Sequence, residues 1–427
     1  MKNRINRREF IRRSAITSVG LSFASPLLQG VTFARGLRGQ GGGSDKVIVT
    51  VNLFGGNDYL NTVIPIGQYD RYRELRPQLG LERDRVLALA GITDFGLNPG
   101  MTAFQSLFAS GRLAIVNGVG APRDADGLFN HELSQYLFQS GASTDPALTT
   151  TRTGWLGRYL DTVGEGIISP GINLGGGQVV LAGLERDALA IGSIGDLQIR
   201  ISDDRDARLE AYTRIMQLPD ADTAGEYNRE VRKRALDQTA TIQERTNAYE
   251  PAVEYPDNNS LADSLRQCAS LVWSDLGVRA VCVGYDGFDT HASQNDGAGP
   301  NELGNHDYSL MSVSEAIAAF QADLEAQGVA DRVLTVVFSE FGRRPEENAD
   351  IGTDHGYANA MFVVGPGVRG GAYGDYPSLA EDRLVLDGNV DATVDLRSVY
   401  ATLLGGFLDT DPAPVLGGQF PQLGFLA

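Results

Sequence analysis

The sequence predicts an α/β fold in which helices cover both faces of a mostly parallel sheet. Continuous apolar runs at 46–53, 279–285 and 333–338 have the length and composition of buried strands. Segments with helical apolar spacing, such as 261–277 and 312–327, lie between such runs. This alternation is typical of a parallel sheet, because each helix returns the chain to the edge where the next strand begins.

The other predicted elements follow the same two patterns. Further strands are expected at short apolar runs: 113–119, 178–183 and 188–193. Further helices are expected where apolar residues recur every three to four positions: near 101–110, after His131, and over 154–163. The helix at 312–327 is expected to begin with a capping box from Ser312 to Glu315 and to end at Gly328.

No linker divides these elements, so residues 46–427 are predicted to form one domain with insertions. The stretch near 204–250 is rich in charged residues, and we expect it to be a helical excursion that faces solvent. Residues 35–45 are rich in glycine and are expected to be a flexible leader.

The first 34 residues have the features of an export signal. Arg7 and Arg8 form a twin-arginine pair, and the mildly apolar stretch from Ser14 to Leu28 is too short to span a bilayer. Thr32 and Ala34 provide the small residues of a cleavage site. We therefore expect the twin-arginine translocase as a partner and a mature protein in the periplasm or outside the cell.

The charge of the chain excludes two classes of partner. The formal net charge is −18, and the first 34 residues carry six basic residues and one acidic residue, so the mature chain has −18 − 5 = −23. A nucleic-acid-binding protein needs a basic surface, and an anionic membrane repels an acidic one. We expect no nucleic-acid partner, and no later segment is long and apolar enough to span a membrane.

The two cysteines are expected in the core. Cys268 lies in a helical apolar pattern and Cys282 in a strand-like apolar run. An exported location permits a disulfide, so bonded and free thiols both stay open.

Each of the three longest predicted strands runs into a short polar cluster. In a parallel sheet the carboxyl ends of the strands meet at one edge, where ligands bind. We therefore expect one shared site for a divalent metal ion, with zinc, manganese or calcium as candidates. The expected metal ligands are the acidic residues and histidines of these clusters: Asp58, Asp289, His291, Glu340, Asp354 and His355.

Each cluster also has a plainer interpretation. The sequences from Gly55 to Asp58 and from Asp354 to Gly356 favour turns. Glu340 lies close to Arg343, which is typical of a salt bridge, and His306 could be a ligand or an exposed loop residue. Their joint occurrence at strand ends favours the metal site.

Four segments together resemble the exported family known as domain of unknown function 1501, which is grouped with the alkaline phosphatase-like and sulfatase superfamily. The segments are NLFGGNDYLNTVIP (52–65), HELSQYLFQSG (131–141), GYDGFDTHASQ (284–294) and VFSEFGRRPEENADIGTDHGYANAMFVVG (337–365). The resemblance extends from about Lys46 to the end of the chain. It implies an alkaline phosphatase-like three-layer sandwich.

The resemblance also implies roles for individual residues. Asp58 matches the first metal-binding aspartate of the superfamily, and Asp289 with His291 or His306 matches a later pair. His355 matches the last metal-binding histidine. A nucleophile is expected at the start of a helix, a position that Asn130 and His131 occupy in this sequence.

Two departures from the superfamily pattern affect the expected chemistry. Asn130 and His131 stand where a nucleophilic Ser, Thr or Cys is expected, which argues against covalent phosphoryl or sulfuryl transfer. Glu340 stands where an Asp-His pair is expected, which favours a metal site richer in oxygen ligands.

Two functions are therefore carried forward. The first is a metal-dependent hydrolase of small anionic esters, either phosphates or sulfates, in which His131 is a nucleophile or general base and Arg343 or Arg344 binds the oxyanion. The second is a non-catalytic exported protein that keeps the fold and a structural metal. Metal analysis and a screen of chromogenic esters separate the two.

Overall fold

The computed structural model describes residues 45–141, 152–164, 168–175, 178–186, 188–194, 237–296 and 302–427. The predicted export signal, the leader up to residue 44 and most of the excursion near 204–250 lie outside the described residues. The described end of that excursion is helical over 237–246.

The described residues form a central nine-stranded sheet and a separate pair of short strands. The strands are β1 Val47–Leu53, β2 Val63–Ile64, β3 Gly96–Leu97, β4 Leu113–Gly120, β5 Gly171–Leu174, β6 Leu189–Ile191, β7 Ala280–Tyr285, β8 Val333–Ser339, β9 Asn359–Val364, β10 Gly371–Tyr373 and β11 Val394–Asp395. The order in the central sheet is β10-β4-β9-β8-β1-β7-β5-β6, in which β11 also pairs with β4. Among these strands most neighbours are parallel, and only β9 runs antiparallel to its neighbours β4 and β8. The short strands β2 and β3 form the separate antiparallel pair.

Helices lie on both faces of this sheet. The named helices are α1 Tyr59–Thr62, α2 Tyr69–Leu75, α3 Thr102–Ala109, α4 His131–Ser140, α5 Trp155–Leu160, α6 Ser260–Trp273, α7 Asn305–Ala326, α8 Leu396–Thr402 and α9 Pro412–Leu416. Helices α3, α6 and α7 contribute to one hydrophobic core, and α4, α5, α8 and α9 contribute to the other.

Residues of the central strands alternate between the two cores. Val49 and Val51 of β1 belong to the core under α6 and α7, whereas Ile48 belongs to the core under α4 and α5. A strand that is buried on both faces in this way reads as a continuous apolar run, which is the pattern that predicted it. The predicted three-layer architecture with a mostly parallel sheet is confirmed.

The antiparallel strand β9 explains why so many loops meet at one edge. Strands β1, β7 and β8 are parallel, so the loops that follow them leave at the same edge. Because β9 runs the opposite way, the segment that precedes it, with His355, lies at that edge too. Strand β4 is antiparallel to β9 and therefore also ends there, shortly before His131.

Two predicted elements differ in the structure. The run 178–183 is not a strand: Gly154 donates a backbone hydrogen bond to Ala182 O at 2.8 Å, and residues 171–174 form the strand beside β7 instead. Helix α7 begins at Asn305, seven residues before the predicted start. The carboxylate of Asp307 accepts a hydrogen bond from Gly304 N at 3.1 Å, so Gly304 and Asp307 form the cap.

The described helices and cysteines settle two further points. No helix of the described residues is long and apolar enough to cross a membrane. Cys268 and Cys282 are both free and buried, and burial raises the pKa of the Cys282 thiol to about 12.

Candidate metal centre

Four side chains from three loops converge at the edge where β4, β7 and β8 end. Asp289 is in the middle of this group, which we call the metal centre: His131, Asp289, His291 and His355. The Nε2 atoms of His131, His291 and His355 lie 3.5, 3.1 and 3.5 Å from the nearest Asp289 carboxylate oxygens. His291 Nε2 and His355 Nε2 are 2.8 Å apart.

The other ring nitrogen of each histidine faces an oxygen outside the metal centre. His355 Nδ1 donates to the carbonyl of Phe129 at 2.8 Å, since a carbonyl can only accept. His131 Nδ1 is 3.0 Å from Glu340 Oε1, an atom that also accepts from Gly55 N. Two of the Nε2 atoms are thus left with a lone pair directed into the metal centre.

The Nδ1 atom of His291 also faces an oxygen outside the metal centre, because it lies 3.4 Å from a carboxylate oxygen of Asp354. If that nitrogen carries the proton, the Nε2 lone pairs of His291 and His355 face each other across 2.8 Å. Such a contact is repulsive unless a proton or a cation lies between the two rings. Imidazoles held by an outer acceptor, with Nε2 turned inward, are the usual form of protein metal ligands.

These residues therefore fit a metal ion. His131, Asp289 and His355 each offer a ligand atom, and these atoms lie within 4.8 Å of one another. This set of ligand atoms contains more nitrogen than expected, because the sequence predicted a site richer in oxygen ligands. Glu340 is fully buried and accepts from Gly55 N and Ser339 Oγ and lies against His131, so it holds His131 in place and is not one of the converging atoms.

Two pKa values in the metal centre are shifted toward the forms that bind a metal. Burial acts to raise the pKa of Asp289, but the hydrogen bond and charge of Arg343 outweigh it and hold that pKa below the usual value. Burial also lowers the pKa of His355, which favours the neutral imidazole. A carboxylate and a neutral imidazole are the protonation states in which these groups coordinate metals.

The two glycines after β1 allow the loops of the metal centre to approach one another. Gly55 has φ +118°, and a Cβ at this position would lie 2.2 Å from the backbone nitrogen of Asp289. A Cβ at Gly56 would meet the ring of Phe341 at 2.1 Å. The GGND sequence therefore serves the site through its glycines, since other residues would push the Asp289 loop away.

Arg343 lies beneath the metal centre and holds its loops together. Its fully buried guanidinium donates to the carbonyls of Gly56 at 2.8 Å and Thr353 at 2.7 Å, and also to that of Gly55. It further binds Asp289 Oδ1 at 2.7 Å. Arg343 thus fixes the orientation of Asp289 from the protein interior, where its guanidinium is fully buried.

Asp58 does not join the other predicted ligands. Arg76 Nη1 and Nη2 bind its two carboxylate oxygens at 2.6 and 2.9 Å, and Gln294 Nε2 donates to it at 2.6 Å. Burial acts to raise the pKa of Asp58, but the charge and hydrogen bonds of Arg76 outweigh it, so the pKa is lowered. The nearby His306, also fully buried, binds Asn57 Oδ1 through Nε2 at 3.1 Å.

Two other predicted site residues support the metal centre from outside. Asn130 is the N-cap of α4, where its side chain accepts from Leu133 N at 3.1 Å. Asp354 is exposed and holds His291 and Asn348. The hydrogen bond from Asn348 is the largest cause of the lowered pKa of Asp354.

Most of the partners that these residues find are not marked in the sequence. Arg76 follows α2 as an ordinary charged residue, and Gln294 lies in a polar loop. The Phe129 carbonyl is a backbone group, so no side-chain pattern marks it. The polar character of Gln294, three residues after His291, was the one available hint.

No curated protein matches the chain in sequence. Among solved structures, the C-terminal periplasmic domain of EcEptC from Escherichia coli, in complex with Zn, is 12% identical, with 89% of this chain and 88% of that chain covered and a TM-score of 0.39.

Two further solved structures are similar at the same level. Ps i-CgsB in complex with k-i-k-neocarrahexaose is 9% identical, with 88% and 73% of the chains covered and a TM-score of 0.38. The phosphonate monoester hydrolase SpPMH from Silicibacter pomeroyi is 9% identical, with 88% and 77% covered and a TM-score of 0.28. These TM-scores are too low to carry a functional conclusion.

The sequence family is established by a profile match that covers more than half of the chain. The profile of the family described as "Protein of unknown function (DUF1501)" matches residues 124–412, which include the whole metal centre but not Asp58. The predicted membership of the DUF1501 family is thereby confirmed over these residues. The chain belongs to the DUF1501 family.

Proposed function

We propose that this protein is a metal-dependent hydrolase of small phosphate or sulfate esters, with the metal held by His131, Asp289, His291 and His355. One observation carries the proposal: three imidazole Nε2 atoms lie around the carboxylate of Asp289, at 3.1 to 3.5 Å, and each Nδ1 faces an oxygen. A donor set rich in imidazole favours zinc or another transition metal over calcium.

A divalent metal at this position supplies Lewis acidity toward an ester oxygen and lowers the pKa of a bound water. The residues of the chain hold that ion and leave one side open. Asp289 and His291 have side chains that are 51% and 46% exposed, so a small ester can reach them from solvent. Arg343 and Glu340 keep Asp289 and His131 in place from the buried side.

This proposal gives His131 and Asn130 roles that differ from the nucleophile position of the superfamily. His131 Nε2 faces Asp289 together with the other two histidines, so we propose that His131 is a metal ligand. Asn130 uses its side-chain oxygen to cap α4, so it acts as a structural residue. Loss of His131 should then abolish both metal binding and hydrolysis.

The test is a metal analysis of purified mature protein followed by a screen of chromogenic phosphate and sulfate esters with added zinc or manganese. We expect about one metal ion per chain and ester hydrolysis that chelation removes. Asp289→Ala should lose both the metal and the activity. Asp263→Ala, which removes an exposed carboxylate on α6, is the matched control and should keep both.

Two results would contradict the proposal. A wild-type protein with its metal but without activity on any ester would instead support a non-catalytic exported protein. Hydrolysis that survives Asp289→Ala, or His131→Ala with the metal retained, would place the reaction elsewhere in the molecule.

We also propose that the protein is exported by the twin-arginine translocase and acts in the periplasm or outside the cell. The Arg7-Arg8 pair and the short apolar segment that follows it support this proposal. Replacement of both arginines by lysine should keep the protein in the cytoplasm, because lysine does not reproduce the guanidinium group. Undiminished periplasmic protein in a cell fractionation would refute export by this route.

A further inference from the structure

A group of amide side chains lies beside the metal centre, on the face of the sheet that α4 covers. Its members, which we call the amide cluster, are Asn52, Gln135, Gln139, Asn173 and Gln178. Asn52, Gln139 and Asn173 are buried, whereas Gln135 and Gln178 are partly exposed. The group therefore extends from the surface inward.

The fold brings these residues to the same edge as the metal centre. Thr50, Cys282 and Asn173 are in register on neighbouring parallel strands, so Asn173 shares a face of the sheet with Asn52, two residues after Thr50. Helix α4 lies over this face. Its residues at positions four and eight after His131 are Gln135 and Gln139, which therefore share the side of the helix that carries His131.

The hydrogen bonds inside the amide cluster are long, and two of its acceptor atoms have no partner among the described residues. Asn52 Nδ2 donates to Gln178 Oε1 at 3.5 Å, and Asn173 Nδ2 donates to Gln178 O at 3.3 Å. The Oδ1 atoms of Asn52 and Asn173 are buried but accept no hydrogen bond from the described residues. Native proteins rarely leave buried acceptors unpaired, because an unpaired acceptor has lost its water without replacement.

The unpaired atoms of the amide cluster determine which groups of a ligand could pair with them. The unpaired atoms are acceptors, so they need a donor such as a hydroxyl or an N–H group. All five side chains are uncharged, and none supplies the positive charge that a second anionic group needs. Gln135 Nε2 lies 3.4 Å from Glu340 Oε1, the oxygen that also binds His131, which connects the cluster directly to the metal centre.

We infer that the amide cluster is a binding subsite for an uncharged, hydroxyl-bearing part of the substrate, such as a sugar ring, next to the ester group at the metal centre. The inference rests on the proposed hydrolase function for the position of the ester. It adds a substrate class, the phosphate or sulfate ester of a polyhydroxylated compound. Hydroxyl groups both donate and accept, so they can pair with the partly exposed amides of Gln135 and Gln178, whereas the buried acceptors of Asn52 and Asn173 can be reached only where Gln178 moves aside.

The subsite can be tested without any catalysis. We would measure saturation-transfer NMR from the zinc-loaded full-length mature protein to the methyl glycosides of glucose, galactose and N-acetylglucosamine, and titrate those that bind. Gln178→Ala and Gln135→Leu change the two partly exposed members, and each should weaken binding roughly 3- to 10-fold, the value of one neutral hydrogen bond. Gln105→Ala, on α3 at the opposite face, is the matched control and should bind as the wild type does.

The outcomes separate this inference from the hydrolase proposal. If no glycoside binds, or if both variants bind as tightly as the wild type at unchanged melting temperature and metal content, the subsite is overturned. Binding that Gln178→Ala and Gln135→Leu weaken supports the subsite even when the protein hydrolyses no ester, and in that case only the hydrolase proposal fails.

Discussion

The metal centre and the surroundings of Asp58 contain similar residues, but the lone pairs are left open in the first and the carboxylate is neutralised in the second. We call the second group the Asp58 network: Asn57, Asp58, Arg76, Gln294 and His306. In the metal centre the side chains are 20 to 51% exposed, and their lone pairs face one another. In the Asp58 network, Asp58 and Arg76 are 0% exposed, and the guanidinium neutralises the carboxylate.

The difference teaches that residue type and position after a strand do not decide whether a carboxylate is left free to bind a metal. Both groups follow strands of the same sheet and contain an aspartate and a histidine. Asp58 has a protein cation as its partner, so it offers no free charge to a metal. Gln294 joins the two groups: it donates to Asp58, and its Oε1 accepts from Thr290, next to Asp289 and His291, and from Thr353, two residues before His355.

The largest expected effect is the loss of stability when the Asp58 network is broken. Asp58→Ala leaves the guanidinium of Arg76 buried without its counter-charge, and removal of one partner of a buried pair costs about 3–5 kcal/mol of the free energy of unfolding. Urea denaturation of the metal-free protein measures this change. The folded fraction of Asp58→Ala should still bind its metal.

The double variant Asp58→Leu with Arg76→Met is the control for this prediction. Apolar residues of similar volume remove both charges together, so most of the stability should return. Loss of the metal from Asp58→Ala with an unchanged free energy of unfolding would contradict the assignment of Asp58 to a structural network separate from the metal centre.

The next largest effect is expected for a histidine of the metal centre. His355→Ala removes an inward-facing Nε2 atom and should weaken metal binding by more than the roughly 10- to 100-fold that an outer partner contributes. Stability without metal should fall modestly, because the side chain is four-fifths buried and donates to the Phe129 carbonyl. Isothermal titration with zinc measures the affinity, and wild-type affinity in this variant would remove His355 from the site.

A smaller effect is expected for the partner of His131. Glu340→Gln keeps an oxygen that can accept from His131 Nδ1 and Gly55 N, but it removes the negative charge that makes His131 a stronger ligand. Metal affinity should fall by about 10-fold or somewhat more. Complete loss of the metal would instead indicate that Glu340 is itself a ligand.

The smallest effect concerns the pH dependence of stability. Burial lowers the pKa of His306 below 6.5, although the charges of Asp58 and Asp307 oppose it. As pH falls below 6.5 the unfolded chain takes up a proton that the folded protein does not, so stability decreases toward acid by at most about 1.4 kcal/mol per pH unit. His306→Gln should flatten this slope in metal-free protein, and an unchanged slope would assign it to other groups.

The strands that are buried on both faces were predictable from the sequence. Strands β1, β7 and β8 are buried on both faces and therefore appear as apolar runs that need no knowledge of their neighbours. Residues 178–183 are equally apolar but pack against α5, and the four-residue strand β5 takes the place beside β7. Local composition cannot distinguish these two arrangements, because the choice depends on contacts distant in sequence.

The location of the candidate site was predictable from the sequence, but the division of its residues between the metal centre and the Asp58 network was not. The strand ends correctly indicated one edge of the sheet, and Asp289, His291 and His355 are brought together there with His131. The separation of Asp58 depends on Arg76, which has no motif, and the position of Glu340 behind His131 depends on the course of the loop before α4. Such pairings arise from the three-dimensional packing of distant segments.

The central claim is that one metal ion binds among His131, Asp289, His291 and His355. An anomalous difference map from crystals of the zinc-loaded protein tests it most directly. We predict a single peak about 2.0–2.2 Å from the three Nε2 atoms and from a carboxylate oxygen of Asp289, with no peak at Asp58. A peak at Asp58, or no peak among the three histidines, would contradict the account.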